Sequence, residues 1–374
     1  MRRRKGTKFV SRILVAAATA LITAACGLGQ PASMPGSASS SDAGGAPGSV
    51  APSVAASSAS PSVVPQPAGL IAFDRHEGAF GAEGPYLGSF VTRSDGTDEL
   101  ALTIPIEVEG LLPVWSGDGR RLLISPWRPP TGPLRPGTMN PDGSGFVIFE
   151  ASGVDGSLAC MDWSNDGELL ACWVDGLAPE PDGIYTLRPD GTDLVRLTTS
   201  PFHYTVGTAG QCGGGDSRAV FSPDASMIAF IRQRCGTGAN PSSDESAAIE
   251  VMSRDGTGLH EIVPQGGVKS HPGSQISWSP DGTTIALGSQ AGELFLVHPD
   301  GTGLAQIRLP TALGGHHAYG PDWSPDGTRI VFSMFVESRS STDLYSIAPD
   351  GSNLVQITDE DGVENFASWG PPGS

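Results

Sequence analysis

Six times from Trp115 to the C-terminus the chain writes a variant of W-S-P-D-G, beginning at Trp115, Trp163, Phe221, Trp278, Trp323 and Trp369. A second series, D-G-T or D-G-S, is centred on Asp95, Asp142, Asp190, Asp255, Asp300 and Asp350. Successive motifs are about 45 to 60 residues apart, the length of a four-stranded blade, so one supersecondary unit is repeated. Such units bury their apolar faces by stacking on their neighbours. The fold class predicted is all-β, a six-bladed β-propeller of four-stranded blades.

The clearest repeat runs from Tyr319 to Thr358. Apolar residues alternate with strand period, as at Ile330, Phe332 and Met334. Ser324-Pro325-Asp326-Gly327 supplies a tight turn: proline presets the first central position, aspartate favours the second and glycine takes the left-handed one. Asp350-Gly351 marks a second hairpin. The aromatic opening each motif is expected in the core between blades, and the repeated aspartates are expected to form turns, because their spacing is not that of a calcium loop. The domain opens at Gly69-Leu70-Ile71-Ala72-Phe73, which matches the strand after W-S-P-D-G, and closes at Phe366-Ala367-Ser368-Trp369, which matches the strand before it. The C-terminal strand is therefore expected to complete the first blade and close the ring, leaving no free sheet edges.

These motifs resemble the TolB-like six-bladed β-propeller family, whose repeats read W-S-P-D-G, I-A-F, I-Y, D-G-T and L-T. Leu187 to Thr198 and Trp278 to Leu287 match most closely, and the resemblance covers nearly all of residues 69–371. It implies the fold. It implies no single activity, since such propellers serve as scaffolds, binding proteins and accessory domains of peptidases.

Residues 1–25 have the parts of an export signal: a basic start (Arg2, Arg3, Arg4, Lys5, Lys8, Arg12), an apolar run from Ile13 to Leu21, and small residues up to Ala25. Ile22-Thr23-Ala24-Ala25-Cys26 resembles the bacterial lipobox, with Thr23 in place of the usual Leu, which implies lipidation of Cys26. Residues 26–67 then read as the lipidated cysteine and a flexible tether of Gly, Ala, Ser, Pro and Val, and residues 68–374 as the propeller. The expected location is the bacterial cell envelope, outside the cytoplasm and held to a membrane through the lipid alone. The net charge of −18 becomes more negative once the basic signal is removed, which makes nucleic acid and anionic lipid surfaces poor partners.

Four further cysteines contain no C-x-x-C pair. Outward counting from Ser164 facing Glu168 sets Cys160 opposite Cys172. The same count from Ser222 facing Ser226 brings Cys212 within a residue of Cys235. Two disulfides are predicted.

No G-x-S-x-G elbow is present; Gly215-Asp216-Ser217-Arg218-Ala219 is the nearest approach, on an expected inner strand. No phosphate-binding glycine loop appears either. Repeat register sets His271 and His316 each seven residues before a tryptophan, with Glu109, Asp155, Asp216 and Glu364 at nearby offsets. These six are the candidate ligand-binding residues, expected at a channel mouth where imidazoles and carboxylates can take a divalent cation or cationic ligand. No catalytic residue and no obligate cofactor are predicted. The function expected is non-catalytic binding of a protein, peptide or glycan by a monomer, with a metal-assisted hydrolase or lyase at the channel mouth as the alternative.

Overall fold

The computed structural model describes residues 68–374 except 80–81, 105–109, 127–132, 152–153, 155, 176–182, 200–214, 235–245, 265, 269–274, 290, 311–315 and 338–339. The signal, Cys26, the tether, Cys212 and Cys235 lie outside the described residues. Every regular element described is a strand.

The chain opens with β1 (Leu70–Ala79), β2 (Ala82–Arg93) and β3 (Leu100–Ala101). A four-stranded sheet follows, formed by β4 (Leu111–Trp115), β5 (Leu122–Pro126), β6 (Gly137–Met139) and β7 (Val147–Ile148). The next comprises β8 (Ser157–Trp163), β9 (Leu170–Asp175), β10 (Gly183–Leu187) and β11 (Val195–Arg196). Then come β12 (Gly215–Phe221), β13 (Met227–Arg234), β14 (Ser246–Ser253) and β15 (His260–Val263), followed by β16 (Ile276–Trp278), β17 (Ile285–Gly288), β18 (Leu294–Val297) and β19 (Ala305–Ile307). The chain ends with β20 (His316–Trp323), β21 (Ile330–Val336), β22 (Ser341–Ile347), β23 (Val355–Gln356) and β24 (Val363–Trp369).

The sequence expectation of six separate sheets is met by four. The remaining eight strands form one sheet, β20-β21-β22-β24-β1-β2-β3 with β23 on β22. The cause is a single parallel pair, Thr342 opposite Val363, where the Thr342 N–H donates to Gly362 O at 3.0 Å. Within this sheet β24 runs antiparallel to β1, with Ile71 opposite Trp369 and Arg75 opposite Glu364, and the Gly370 N–H donates to Leu70 O at 2.8 Å.

Both turn series form as the residue chemistry requires. In the W-S-P-D-G hairpins glycine is left-handed, with φ from 69° to 71° at Gly119, Gly167, Gly282 and Gly327. Each D-G-T or D-G-S aspartate accepts its own turn's backbone N–H two residues on, as from Thr97 to Asp95 at 3.0 Å and Ser352 to Asp350 at 2.9 Å. The opening aromatics Trp115, Trp163, Phe221, Trp278, Trp323 and Trp369 are all buried. One core cluster lies between sheets, joining Ala72 and Val91 to Leu111, Trp115, Leu122 and Met139, and another lies across the seam of the eight-stranded sheet, joining Ile71 and Phe73 to Val331, Leu344 and Trp369.

Cys160 and Cys172 form the expected disulfide across β8 and β9. The register that pairs them arises differently from the count above. The Ser164 N–H donates to Leu169 O, not Glu168, and a bulge between Cys160 and Asp162 then restores the cysteine pairing.

Candidate functional site at the centre of the inner strands

The first strand of each repeat, β4, β8, β12, β16, β20 and β24, packs against the next in that order, and β24 packs against β4. Their C-terminal ends and the following turns line a half-open cavity of about 290 Å³. It lies at the turn end of these strands, opposite the end at which the sequence register placed a channel mouth.

The residue before each opening aromatic faces its neighbour here. These positions hold Val114, Asp162, Val220, Ser277, Asp322 and Ser368. Four of them carry an oxygen that accepts the next aromatic's backbone N–H: Ser368 Oγ from Trp115 at 3.3 Å, Asp162 Oδ2 from Phe221 at 2.7 Å, Ser277 Oγ from Trp323 at 3.2 Å and Asp322 Oδ2 from Trp369 at 2.7 Å. Edge-on contacts between inner strands thus have their donors satisfied without a continuous ladder.

Loss of hydration in this half-open site raises both carboxyl groups. Burial pushes Asp162 up to about 7, partly offset by the Phe221 and Trp163 N–H groups, with Asp322 adding a small like-charge push. Burial pushes Asp322 up to about 6 against hydrogen bonds from Ser277, Trp369 and Trp323. Raised carboxyl groups hold protons in the folded state that the unfolded chain, near 3.8, has released. Their stabilising contribution is therefore complete below about pH 4 and is lost as pH rises toward 7. Asp162→Asn keeps an acceptor for Phe221 and removes that loss. Denaturant titrations should find the variant about 1 to 3 kcal/mol more stable than wild type at pH 8, with the difference gone near pH 4; an equal difference at both pH values counts against the raised carboxyl.

Three inner strands reach the cavity through left-handed backbone three residues before the aromatic: Arg218 (φ 58°), Gly320 (φ 64°) and Phe366 (φ 57°). The pairing of β12 with β13 shifts register between Ser217 and Val220, and that of β20 with β21 between Tyr319 and Asp322. Bulges of this kind re-aim a side chain, and left-handed Arg and Phe are strained. Arg218 lines the cavity, is buried, and has its guanidinium carbon 5.6 Å from the ring centroids of both Trp173 and Phe366.

Of the six sequence candidates, Asp216 and Glu364 have described side chains, and these two sit in separate clusters. Glu109, Asp155 and His271 lie outside the described residues, as does the side chain of His316, whose backbone opens β20 opposite Val336. Asp216 and Glu364 sit inside strands, both buried. Their equal offsets place them in equivalent ion-pair clusters instead of on a solvated segment. Arg232 holds Asp216 by two bonds of 2.6 and 2.7 Å and reaches Glu250 at 2.7 Å, while Thr198 donates to Asp216 at 2.6 Å. Arg75 holds Glu364 at 2.8 and 2.5 Å and grips Glu99 by two bonds of 2.8 Å, while Thr358 donates to Glu364. Burial pushes Glu364 up to about 7 even so. Among the described residues no group of three or more His, Cys, Asp or Glu is arranged to hold a metal ion.

Sequence reasoning passed over Arg218, Asp162 and Asp322. The signal was available in the column before the aromatic, where aspartates stand in a position that otherwise holds Val or Ser.

No protein-family profile matches the chain, and no curated protein matches it. Solved structures do. TolB from Acinetobacter baumannii is similar at 18% identity, covering 81% of this chain and 67% of that one, with a TM-score of 0.55. A putative TolB from Agrobacterium tumefaciens is similar at 16% identity, covering 82% of this chain and 100% of that one, with a TM-score of 0.51. Hydrazine synthase from Kuenenia stuttgartiensis is similar at 14% identity and a TM-score of 0.56, over 82% of this chain and 48% of that one. At such identities the likeness is one of fold, and the described domain is a β-propeller of four-stranded blades with a TolB-like fold.

Proposed function

We propose that this protein is a lipid-anchored, extracytoplasmic propeller of six blades that binds a protein, peptide or glycan ligand at the turn end of its central channel and does no chemistry on it. Six blades are supported by the weakness of the seam in the eight-stranded sheet, one parallel pair, which divides it into β20–β23 and a blade of β24, β1, β2 and β3. Anchoring is supported by the signal and the lipobox-like Ile22 to Cys26. Cys26→Ser should move the protein from the membrane to the soluble fraction; an uncleaved precursor that stays with membranes contradicts the anchor.

The observation that carries the binding reading is the cavity itself, lined by a buried arginine with no carboxylate partner among the described residues and by two aspartates that each accept a neighbouring strand's backbone N–H. Each of these bonds ties one inner strand to another, a structural role, and we read the cavity they frame as a place of recognition. The metal-assisted alternative turns on His271 and His316, whose side chains are outside the described residues. Val220→Trp, which fills the cavity, provides the test. Immobilised wild-type domain should retain an envelope polypeptide or glycan that the filled variant does not, whereas Val195→Arg on the outer β11 should retain it; equal retention by the filled variant overturns the reading.

A further inference from the structure

Four arginines among the described residues are deeply placed, and they differ in their partners; Arg329 donates to Ser346 Oγ, Ser346 O and Asn353 O. Arg75 and Arg232 are each saturated by two carboxylates. Arg218 is not. It is 8% exposed, and burial with no compensating charge pulls its guanidinium down to about 10. Its only hydrogen-bond contact among the described residues is from Nη1 to Met161 Sδ at 3.8 Å, a weak thioether acceptor.

The guanidinium carbon lies 5.6 Å from the ring centroids of both Trp173 and Phe366, and among the described residues no oxygen accepts from its N–H groups. The in-plane edge of those N–H groups is the part of arginine that receives a planar carboxylate through two parallel N–H···O bonds. The backbone that aims the side chain is left-handed at Arg218 and again at Phe366, so both halves of the contact rest on strained positions. Strain of that kind persists where the surrounding structure holds it, and it gathers at ligand sites.

Two further features narrow the ligand. Gln275 Oε1, on the cavity wall, is buried with no donor among the described residues, and so can accept from a ligand N–H. Val114, Val220 and Ile276 supply an apolar wall. Asp162 and Asp322 share the cavity and oppose a second negative charge, which favours a monoanion over a phosphate dianion. A volume of about 290 Å³ is at the small end of ligand pockets, which run from about 300 to 1,000 Å³, and suits a chain end.

We propose that Arg218 anchors the C-terminal carboxylate of a peptide entering the channel from the turn end, with Gln275 accepting the adjacent amide N–H. This rests on the binding reading above and names its ligand class.

The test is calorimetric titration of the full mature chain with N-acetyl-leucine, N-acetyl-leucinamide, glucuronate and inorganic phosphate. N-acetyl-leucine should bind at least tenfold more tightly than the other three. Arg218→Gln should weaken it at least tenfold while leaving Tm unchanged or higher, because a lone buried charge is removed; Arg218→Lys, which keeps charge but loses the fork, should fall between. Equal binding of acid and amide overturns the proposal, as does tighter binding of glucuronate or phosphate, or undiminished affinity in Arg218→Gln. The wild-type comparison decides alone if Arg218→Gln does not fold. Loss of envelope capture in Val220→Trp together with equal binding of acid and amide leaves the binding reading standing and removes only the carboxylate.

Discussion

Deletion of Asn365 to Ser374 should leave a chain that no longer melts cooperatively. The deleted segment carries Trp369, 5% exposed, together with Ala367 and the Ser368 hydroxyl that accepts the Trp115 N–H. It also removes the strand opposite Ile71 and Ala72 and the Ser374 hydroxyl that accepts the Leu70 N–H. Losing one buried tryptophan costs about 3 to 5 kcal/mol, and an unpaired strand edge in the middle of a sheet adds to it. Since domains typically hold only about 5 to 15 kcal/mol, calorimetry should find the truncated chain aggregated or without a transition. A transition at the wild-type temperature contradicts the role given to β24.

Arg75→Ala is the second large loss. It leaves Glu364, wholly buried, with Thr358 as its remaining partner and releases Glu99. Breaking a buried pair by removing one member costs about 3 to 5 kcal/mol, because the other charge stays buried. Glu364 titrates near 7, so it can take up a proton in the variant, and the loss should be smaller at pH 5 than at pH 8. Arg75→Ala with Glu364→Gln should recover part of the stability at pH 8. Urea unfolding at both pH values checks this; an equal loss at the two values means that Glu364 is not the group left uncompensated.

How much of this was legible in the sequence depends on the kind of feature. The blades were legible because Ser-Pro-Asp-Gly and Asp-Gly-Thr impose turns through short-range chemistry, and because Ile330, Phe332 and Met334 carry the strand period into the core. The Cys160–Cys172 pair was legible in total offset but not in detail, since the bulge sits at Met161 and not in the turn. A bulge is set by which side chain must be re-aimed, and only the neighbouring strand shows that.

The sequence register set its candidates before the inner strands, whereas the cavity lies at their turn end. Equal register correctly marked Asp216 and Glu364 as equivalent, yet equivalence there means two arginine-neutralised clusters across neighbouring strands of one sheet, Arg232 opposite Asp216 and Arg75 opposite Glu364. Arg218 was hidden for a related reason. Whether an arginine has a carboxylate opposite it depends on cross-strand register and on the tertiary neighbours Trp173 and Phe366, which lie 45 residues before it and 148 after it in sequence.

The central claim, that the turn end of the channel is where this propeller meets its ligand, is tested most directly by photo-crosslinking in living cells. A benzophenone side chain placed at Pro280, on the cavity rim, should yield a defined crosslinked species, and one placed at Val195, on the outer edge of β11, should not. Crosslinking from Pro280 that vanishes in the Val220→Trp background is the predicted result. Crosslinking from Val195 alone, or from Pro280 regardless of whether the cavity is filled, contradicts the account.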